Sequence, residues 1–209
     1  FKDNAIAIVA PSRTGKTTLT AALSQNGFAL MTDDMMALHL IENNYVIYPS
    51  WPILRMWPDA LEEFQKSASE DSKKVHQKFD KRLIQINNND TFKFCNEPKK
   101  LKTIYLLNRI DNKIDKRTDK KEITVTNNNS LNNTVENCEI SDIKPAEAVI
   151  ILLQNSILGS AYKALELEDT RLTALSTLLT KIQFKKITYT SGKNNLLNVC
   201  KNLKQDIEK

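Results

Sequence analysis

Cysteine and histidine are scarce and scattered. Cys95, Cys138 and Cys200 are odd in number, far apart, and in no metal-like spacing. That excludes a disulfide framework and a cysteine-based zinc site, and it fits free thiols in a reducing cytosol. His39 and His76 stand alone and add no zinc ligand set. No apolar run approaches the ~20 residues of a membrane span, and no secretory signal opens the chain. A cytoplasmic protein with no membrane partner is expected. The chain starts at Phe1 rather than Met, as a trimmed chain would, or one with an upstream segment missing. Such a segment could end in a sheet strand. Charge of one sign is not concentrated either. Thirty Lys and Arg against 25 Asp and Glu give a formal +5, but the lysines are mixed with acids almost everywhere. That interleaving reads as a solvated surface and not as a nucleic-acid face. A mildly basic balance also suits an anionic nucleotide.

What is present is a phosphate-binding loop. Ala10-Pro11-Ser12-Arg13-Thr14-Gly15-Lys16-Thr17 follows the apolar run Ala5-Ile6-Ala7-Ile8-Val9 and precedes Thr18-Leu19-Thr20-Ala21-Ala22-Leu23. Strand, loop and helix are the context this motif needs. Such a loop aims successive backbone N–H groups inward at phosphate oxygens, and the helix adds the positive end of its dipole. Ser12, Arg13, Thr14, Gly15, Lys16, Thr17 and Thr18 are therefore the candidate nucleotide-binding residues. Lys16 should reach the outer phosphates, and the Thr17 hydroxyl is placed to ligate Mg²⁺. The first position is Ala rather than the commoner Gly, which a negative φ accommodates.

With 209 residues, a single domain over 1–209 is expected. The first helix should cover about 16–26 and end near Gly27. Phe28 to Met31 reads as a strand running into Thr32-Asp33-Asp34. Met35 to Leu40 and Tyr45 to Tyr48 read as a hairpin turning at Glu42-Asn43-Asn44. Pro49 to Pro52 and Trp57-Pro58 punctuate a loop, and Asp59 opens a short helix. Gln65 to Phe79 reads as polar and exposed. Arg82 to Ile86 and Thr103 to Leu107 are strand candidates. A loosely structured peripheral insert is expected near 111–142, with one strand-like patch at Glu122 to Thr126. Helices are expected from Lys144 to Leu153, Glu168 to Ile182 and Asn195 to Ile207, and a strand at Lys186 to Thr190. In the second helix Leu172, Leu175, Leu178, Leu179 and Ile182 form a core stripe. The fold class is α/β, with a mixed sheet flanked by helices.

Asp33 and Asp34 fall at the end of the strand that follows the P-loop helix. Ligands of open α/β sheets sit at the carboxyl ends of strands. Two adjacent carboxylates there suit phosphoryl transfer, which needs charge neutralisation and a group to orient the nucleophile. One can accept a proton from an attacking hydroxyl, and the other can bind Mg²⁺.

These residues resemble the C-terminal kinase domain of the HPr kinase/phosphorylase family. Its members carry a P-loop ending in G-K-S, a helix, and then R-L-I-A-D-D. Here Gly27-Phe28-Ala29-Leu30 leads to Thr32-Asp33-Asp34, and the spacing from Lys16 to Asp33 matches without a gap. The later Trp51-Pro52-Ile53-Leu54 matches a P-P-I-L segment. The chain is more similar still to the short serine kinases found with lasso-peptide and other peptide-modification genes. Asp33-Asp34-Met35-Met36-Ala37-Leu38, Leu54-Arg55-Met56-Trp57-Pro58-Asp59 and Lys81-Arg82 match features that recur there. The resemblance is specific up to Asp59 and loose afterwards. It implies a P-loop kinase fold using ATP and Mg²⁺, with Asp33 as general base toward a Ser of a peptide or protein. It also implies an acidic Mg²⁺ ligand at Asp59. The E-I-R-G stretch tied to the reverse, phosphate-removing reaction is not matched, since its Arg falls at Leu61. That reverse activity is therefore not expected.

The expected function is an ATP-dependent serine kinase acting on a peptide or protein, such as a ribosomal precursor peptide. Lys16 and Asp33 are its catalytic residues, and Thr17, Asp59 and Asp34 its metal ligands. Two other readings fit the same motif: a small-molecule kinase, and a nucleotide-sensing module without turnover. Lys81 and Arg82 are equally readable as a phosphate clamp and as a surface pair. Trp51 and Trp57 read as partly buried, and His39 as structural.

Overall fold

The computed structural model describes residues 1–64, 73–76, 79–86, 92–110 and 138–209. Most of the polar stretch after Phe64 and the patch at Glu122 to Thr126 lie outside those residues. The apolar run at the start forms β1 (Asn4–Val9), and the P-loop leads into α1 (Lys16–Gln25). α1 stops as its sequence dictates. Gly27 takes φ +90°, and the N–H groups of Gly27 and Phe28 donate to the carbonyls of Ser24 and Leu23. This is the paired closure that a left-handed glycine after a helix allows.

The next segment departs from expectation. Phe28 to Met31 does not become a strand and keeps one isolated bridge, Leu30 to Phe94. Its neighbours are loops: the Leu30 N–H donates to the Lys93 carbonyl, and Ser50 donates to Met31. β2 (Leu38–Ile41) and β3 (Asn44–Ile47) form the expected hairpin. Glu42 and Asn43 both have positive φ, 46° and 69°, as a two-residue turn matching strand twist requires. β4 (Ile53–Met56) lies in the stretch expected to be a loop. Pro52 stands before the strand, where no ladder donor is lost. Leu54 and Met56 alternate inward and are buried.

The chain continues through α2 (Pro58–Phe64), β5 (Lys73–His76), β6 (Phe79–Gln85) and β7 (Lys99–Ile110). Then come β8 (Glu139–Asp142), α3 (Pro145–Asn155) and α4 (Gly159–Ala164), the last of which the sequence did not suggest. α5 (Glu168–Leu179), β9 (Gln183–Thr190) and α6 (Lys193–Glu208) complete it.

β7 is the spine of the main sheet. It pairs in parallel with β1 and β9, and antiparallel with β3, while β8 pairs antiparallel with β9. The sheet is therefore mixed. Alternation along the strands sorts side chains to two faces. Ile6, Ile8, Tyr105, Leu107 and Ile187 meet Leu19 and Leu23 of α1 and Val199 and Leu203 of α6. Ala5, Ala7, Leu101, Ile104 and Phe184 meet Ala148 and Leu152 of α3 and Leu178 of α5. Fully burying a Leu, Ile or Val contributes roughly 1.5–3 kcal/mol, so each face carries a substantial share of stability. Leu172 falls outside the expected stripe and is exposed. A second sheet, β4-β6-β5, packs Leu54, Met56 and Ile84 against Ala21 of α1 and Leu61 of α2. That contact places β4 beside the P-loop helix. Among the described residues no helix is long and apolar enough to cross a membrane.

Candidate functional site

The loop is built around Gly15, which caps α1 at φ +93°. A Cβ at this position would lie 3.0 Å from Arg109 Nη1 and 3.7 Å from the Tyr189 hydroxyl. Glycine is thus required for the left-handed backbone, and the loop is closely approached from the ends of β7 and β9. Arg13 is also left-handed, φ 69°, and exposed, as is Ser12. The Thr14 hydroxyl donates to the Pro11 carbonyl at 2.6 Å and braces the turn. Lys16 folds back over the loop: its ammonium donates to the carbonyls of Ala10 at 2.7 Å and Pro11 at 2.9 Å. Thr17 and Thr18 sit half-buried in the first turn of α1.

The acidic pair sits in a turn after Met31. The Thr32 hydroxyl donates to the Met35 carbonyl, and Ser50 donates to the Thr32 hydroxyl at 3.1 Å. Thr32 thereby closes the segment around Asp33 and Asp34. The Asp33 side chain is 7% exposed, against 59% for Asp34. Asp33 accepts the backbone N–H of Arg55 at 2.9 Å, and the Arg55 guanidinium pairs with Asp34. Burial pushes the Asp33 carboxyl above the usual range, and the Arg55 N–H only partly opposes it. Lys16 is lowered by its own burial. Asp34 and Asp33 pull it back up, and Lys81 pushes it down. Lys16, Asp33, Asp34 and Lys81 therefore act on one another as a single charge cluster. Lys81, from β6, also lies 5.7 Å over the Trp57 ring.

Comparison with protein-family models, with curated proteins and with solved structures gave no match. The functional reading rests on the chain's own residues.

Two cavities flank the loop. The larger, about 820 Å³, is lined by the whole of β1 and by Lys16, Asp33 and Asp34. The smaller, about 280 Å³, is lined by Gly15, Thr18, Asp59, Arg109, Tyr189 and Gly192. The structure thus brings Lys16 together with Asp33 and Asp34, and places Asp59, in the first turn of α2, on the other cavity with Thr18.

Arg109 and Tyr189 were missed in the sequence. Their signal was positional: each stands near the carboxyl end of a parallel strand, where α/β sheets hold ligands. Among the described residues no group of three or more His, Cys, Asp or Glu is placed to hold a metal. Mg²⁺ seldom needs one, because it is commonly held by one or two carboxylates together with substrate phosphates and water. Asp34 lines the cavity that holds Lys16, and Thr17 stands in the first turn of α1.

Proposed function

We propose that the chain is a P-loop serine kinase that transfers the γ-phosphoryl group of ATP to a Ser hydroxyl of a peptide or protein. The observation that carries this reading is the placement of Asp33. A buried carboxylate with a raised pKa, held by a backbone N–H, shares a cavity with the P-loop lysine. Burial brings its pKa toward the operating range of a general base.

The chemistry then assigns itself to residues. Lys16 exchanges two loop carbonyls for phosphate oxygens, and the loop N–H groups face the same oxygens. Asp33 takes the Ser proton while the Ser oxygen bonds to the γ-phosphorus. The bond to the β,γ-bridging oxygen breaks and ADP leaves. Thr17 and an acidic ligand would hold Mg²⁺, which would supply positive charge to the triphosphate. Lys81 adds positive charge to the same cluster.

The test is transfer of label from γ-labelled ATP to Ser in a synthetic peptide pool, with calorimetry of ATP binding beside it. Transfer by the wild type, lost in a folded Lys16→Ala protein, supports the reading. A chain that binds no ATP overturns it, and ATP binding without transfer leaves the sensing module in its place.

A further inference from the structure

The P-loop has two sides. Lys16 and Thr20 line the larger cavity, where Asp33 and Asp34 stand, while Gly15 and Thr18 line the smaller. Residues two apart on a helix point roughly 200° apart, so α1 sends Lys16 and Thr18 to opposite cavities. A triphosphate on this loop has its transferable end at Lys16 and the acidic pair. Its inner phosphate, and whatever follows that phosphate, then leads away from them toward Gly15 and Thr18. The smaller cavity is therefore continuous with the anion site, and its occupant is joined to the anion.

The lining describes that occupant. Arg109 Nη1 and the Tyr189 hydroxyl close on the loop at Gly15, 3.0 and 3.7 Å from where a Cβ would stand. That end carries positive charge and suits the inner phosphate. Asp59 enters from α2. A carboxylate accepts hydrogen bonds and donates none, so it repels phosphate and suits a neutral hydroxyl. Ala60 and Leu196 add apolar wall. An inner phosphate, hydroxyls and an apolar ring are together the parts of a nucleotide. The cavity, about 280 Å³, falls just under the ordinary range of whole ligand sites, about 300–1,000 Å³. It suits one part of a ligand whose phosphates lie outside it on the loop.

We propose that the smaller cavity holds the ribonucleoside of the phosphate donor, with Asp59 accepting hydrogen bonds from its ribose hydroxyls. This rests on the kinase reading for the triphosphate on the loop. It gives Asp59 a different part from the metal ligand that the sequence resemblance implies. Asp59 becomes the residue that separates ribonucleotides from deoxyribonucleotides.

The probes are ATP, 2′-deoxy-ATP, 3′-deoxy-ATP and inorganic tripolyphosphate, bound to the full chain in calorimetry with EDTA present. Without metal, ATP and its deoxy analogues differ only in their hydroxyls. ATP should bind more tightly than tripolyphosphate. At least one deoxy analogue should bind about tenfold more weakly than ATP, the worth of a hydrogen bond to a charged group. In Asp59→Ala that difference should vanish, while tripolyphosphate binds at least as tightly as to wild type and so reports an intact loop. Where Asp59→Ala loses its fold, the near-isosteric Asp59→Asn decides by the same ratio, which should fall. ATP bound no more tightly than tripolyphosphate means that the cavity takes no nucleoside, and overturns the proposal with the loop reading intact. So does a ribose preference that is absent, or one that both variants leave unchanged. Binding of none of the four probes removes the kinase reading as well.

Discussion

The backbone N–H of Arg55 lies 2.9 Å from Asp33 Oδ2, while the side chain of the same residue pairs with Asp34. One residue of β4 therefore fixes both carboxylates, through two groups that respond differently to mutation. The backbone bond survives the loss of the side chain; the ion pair does not. The guanidinium, 4.0 Å from Asp33, also lowers the Asp33 pKa and partly offsets burial. In Arg55→Ala, Asp33 should stay in place with its pKa raised further. Carbon-detected titration of the Asp33 carboxyl in both proteins checks this. An unchanged or lower value in the variant would show that the guanidinium does not reach Asp33.

Asp33→Asn should separate activity from stability. Asn keeps an acceptor for the Arg55 N–H but cannot take a proton. Losing a positioned base costs roughly 10²–10⁴ in rate, or about 3–5 kcal/mol at 1.36 kcal/mol per tenfold. Stability should move the other way. The folded carboxyl titrates above its unfolded value, so between the two values the fold holds a proton that the unfolded chain has lost. Stability falls as pH rises through that window and stays reduced above it. In metal-free protein at neutral pH, Asp33→Asn should melt above the wild type. The gap should close as pH falls below the ordinary Asp range. A variant that melts lower at neutral pH rejects the burial account.

Gly15→Ala tests the loop geometry. A left-handed backbone costs an L-residue roughly 1–2 kcal/mol. The new methyl would also press on Arg109 Nη1, which must shift. For a chain of this size each kcal/mol lowers Tm by about 2–4 °C, so a fall of about 2–8 °C is expected. ATP affinity should drop with it, because the loop amides lose their common aim. A variant with wild-type melting and wild-type ATP affinity would contradict the left-handed assignment.

The order of the main elements was legible because the relevant signals are local. The strand, loop and helix around Lys16 follow from an apolar run, a glycine and a helix-forming tail. The β2–β3 hairpin follows from alternation broken by Glu42-Asn43-Asn44. The acidic pair was read at the end of a strand that does not form, and it stands instead in the turn after Met31, beside Lys16. What was not legible depends on distant partners. Phe28 to Met31 has strand composition, but it meets only Leu30–Phe94 pairing, so the ladder never forms. Ile53 to Met56 looked like loop between prolines, and becomes a strand because β6 supplies a ladder with Leu54 opposite Ile84. Arg109 reaches Gly15 across 94 positions of sequence, and no spacing rule spans that. Arg55 stands in the matched Leu54–Asp59 stretch, but its backbone bond to Asp33 needs β4 to exist first.

A second cluster ties α6 to the sheet. Asp206 accepts the Tyr105 hydroxyl at 2.7 Å and the Lys185 ammonium at 2.8 Å on both oxygens. Burial alone would raise the Asp206 pKa, but the bonds from Lys185 and Tyr105 outweigh it and hold the carboxyl below its usual range. Here the unfolded chain binds the extra proton, so stability is present above the ordinary Asp value and is lost as pH falls through the folded value. Asp206→Asn should destabilise the fold, but by less than the ~3–5 kcal/mol of a fully buried pair broken from one side, because both side chains keep some exposure. It should also flatten the acid limb of the stability profile. Urea midpoints at pH 7 and pH 3 measure both effects. An equal loss at the two pH values would mean that the ion pair contributes nothing.

The metal can be assigned between two acids. The sequence resemblance points to Asp59, whereas the cavity that holds Lys16 and Asp33 is lined by Asp34 and not by Asp59. An acid that would hold a metal serving the outer phosphates should stand near the lysine that would hold them. Asp34 is now paired with Arg55, so a role in metal binding requires that pair to open when nucleotide arrives. Asp34→Asn should then raise the Mg²⁺ needed for half-maximal transfer by about tenfold or more, since even outer-shell partners are worth that much. Asp59→Ala should change the Mg²⁺ requirement less, and should act on nucleotide affinity through the cavity it shares with Gly15, Thr18 and Arg109. Mg²⁺ titrations of transfer, run at saturating ATP for wild type and both variants, order the two acids. If Asp59→Ala shows the larger rise and Asp34→Asn none, the metal sits at the head of α2, and Arg55 keeps Asp34 as a structural partner alone.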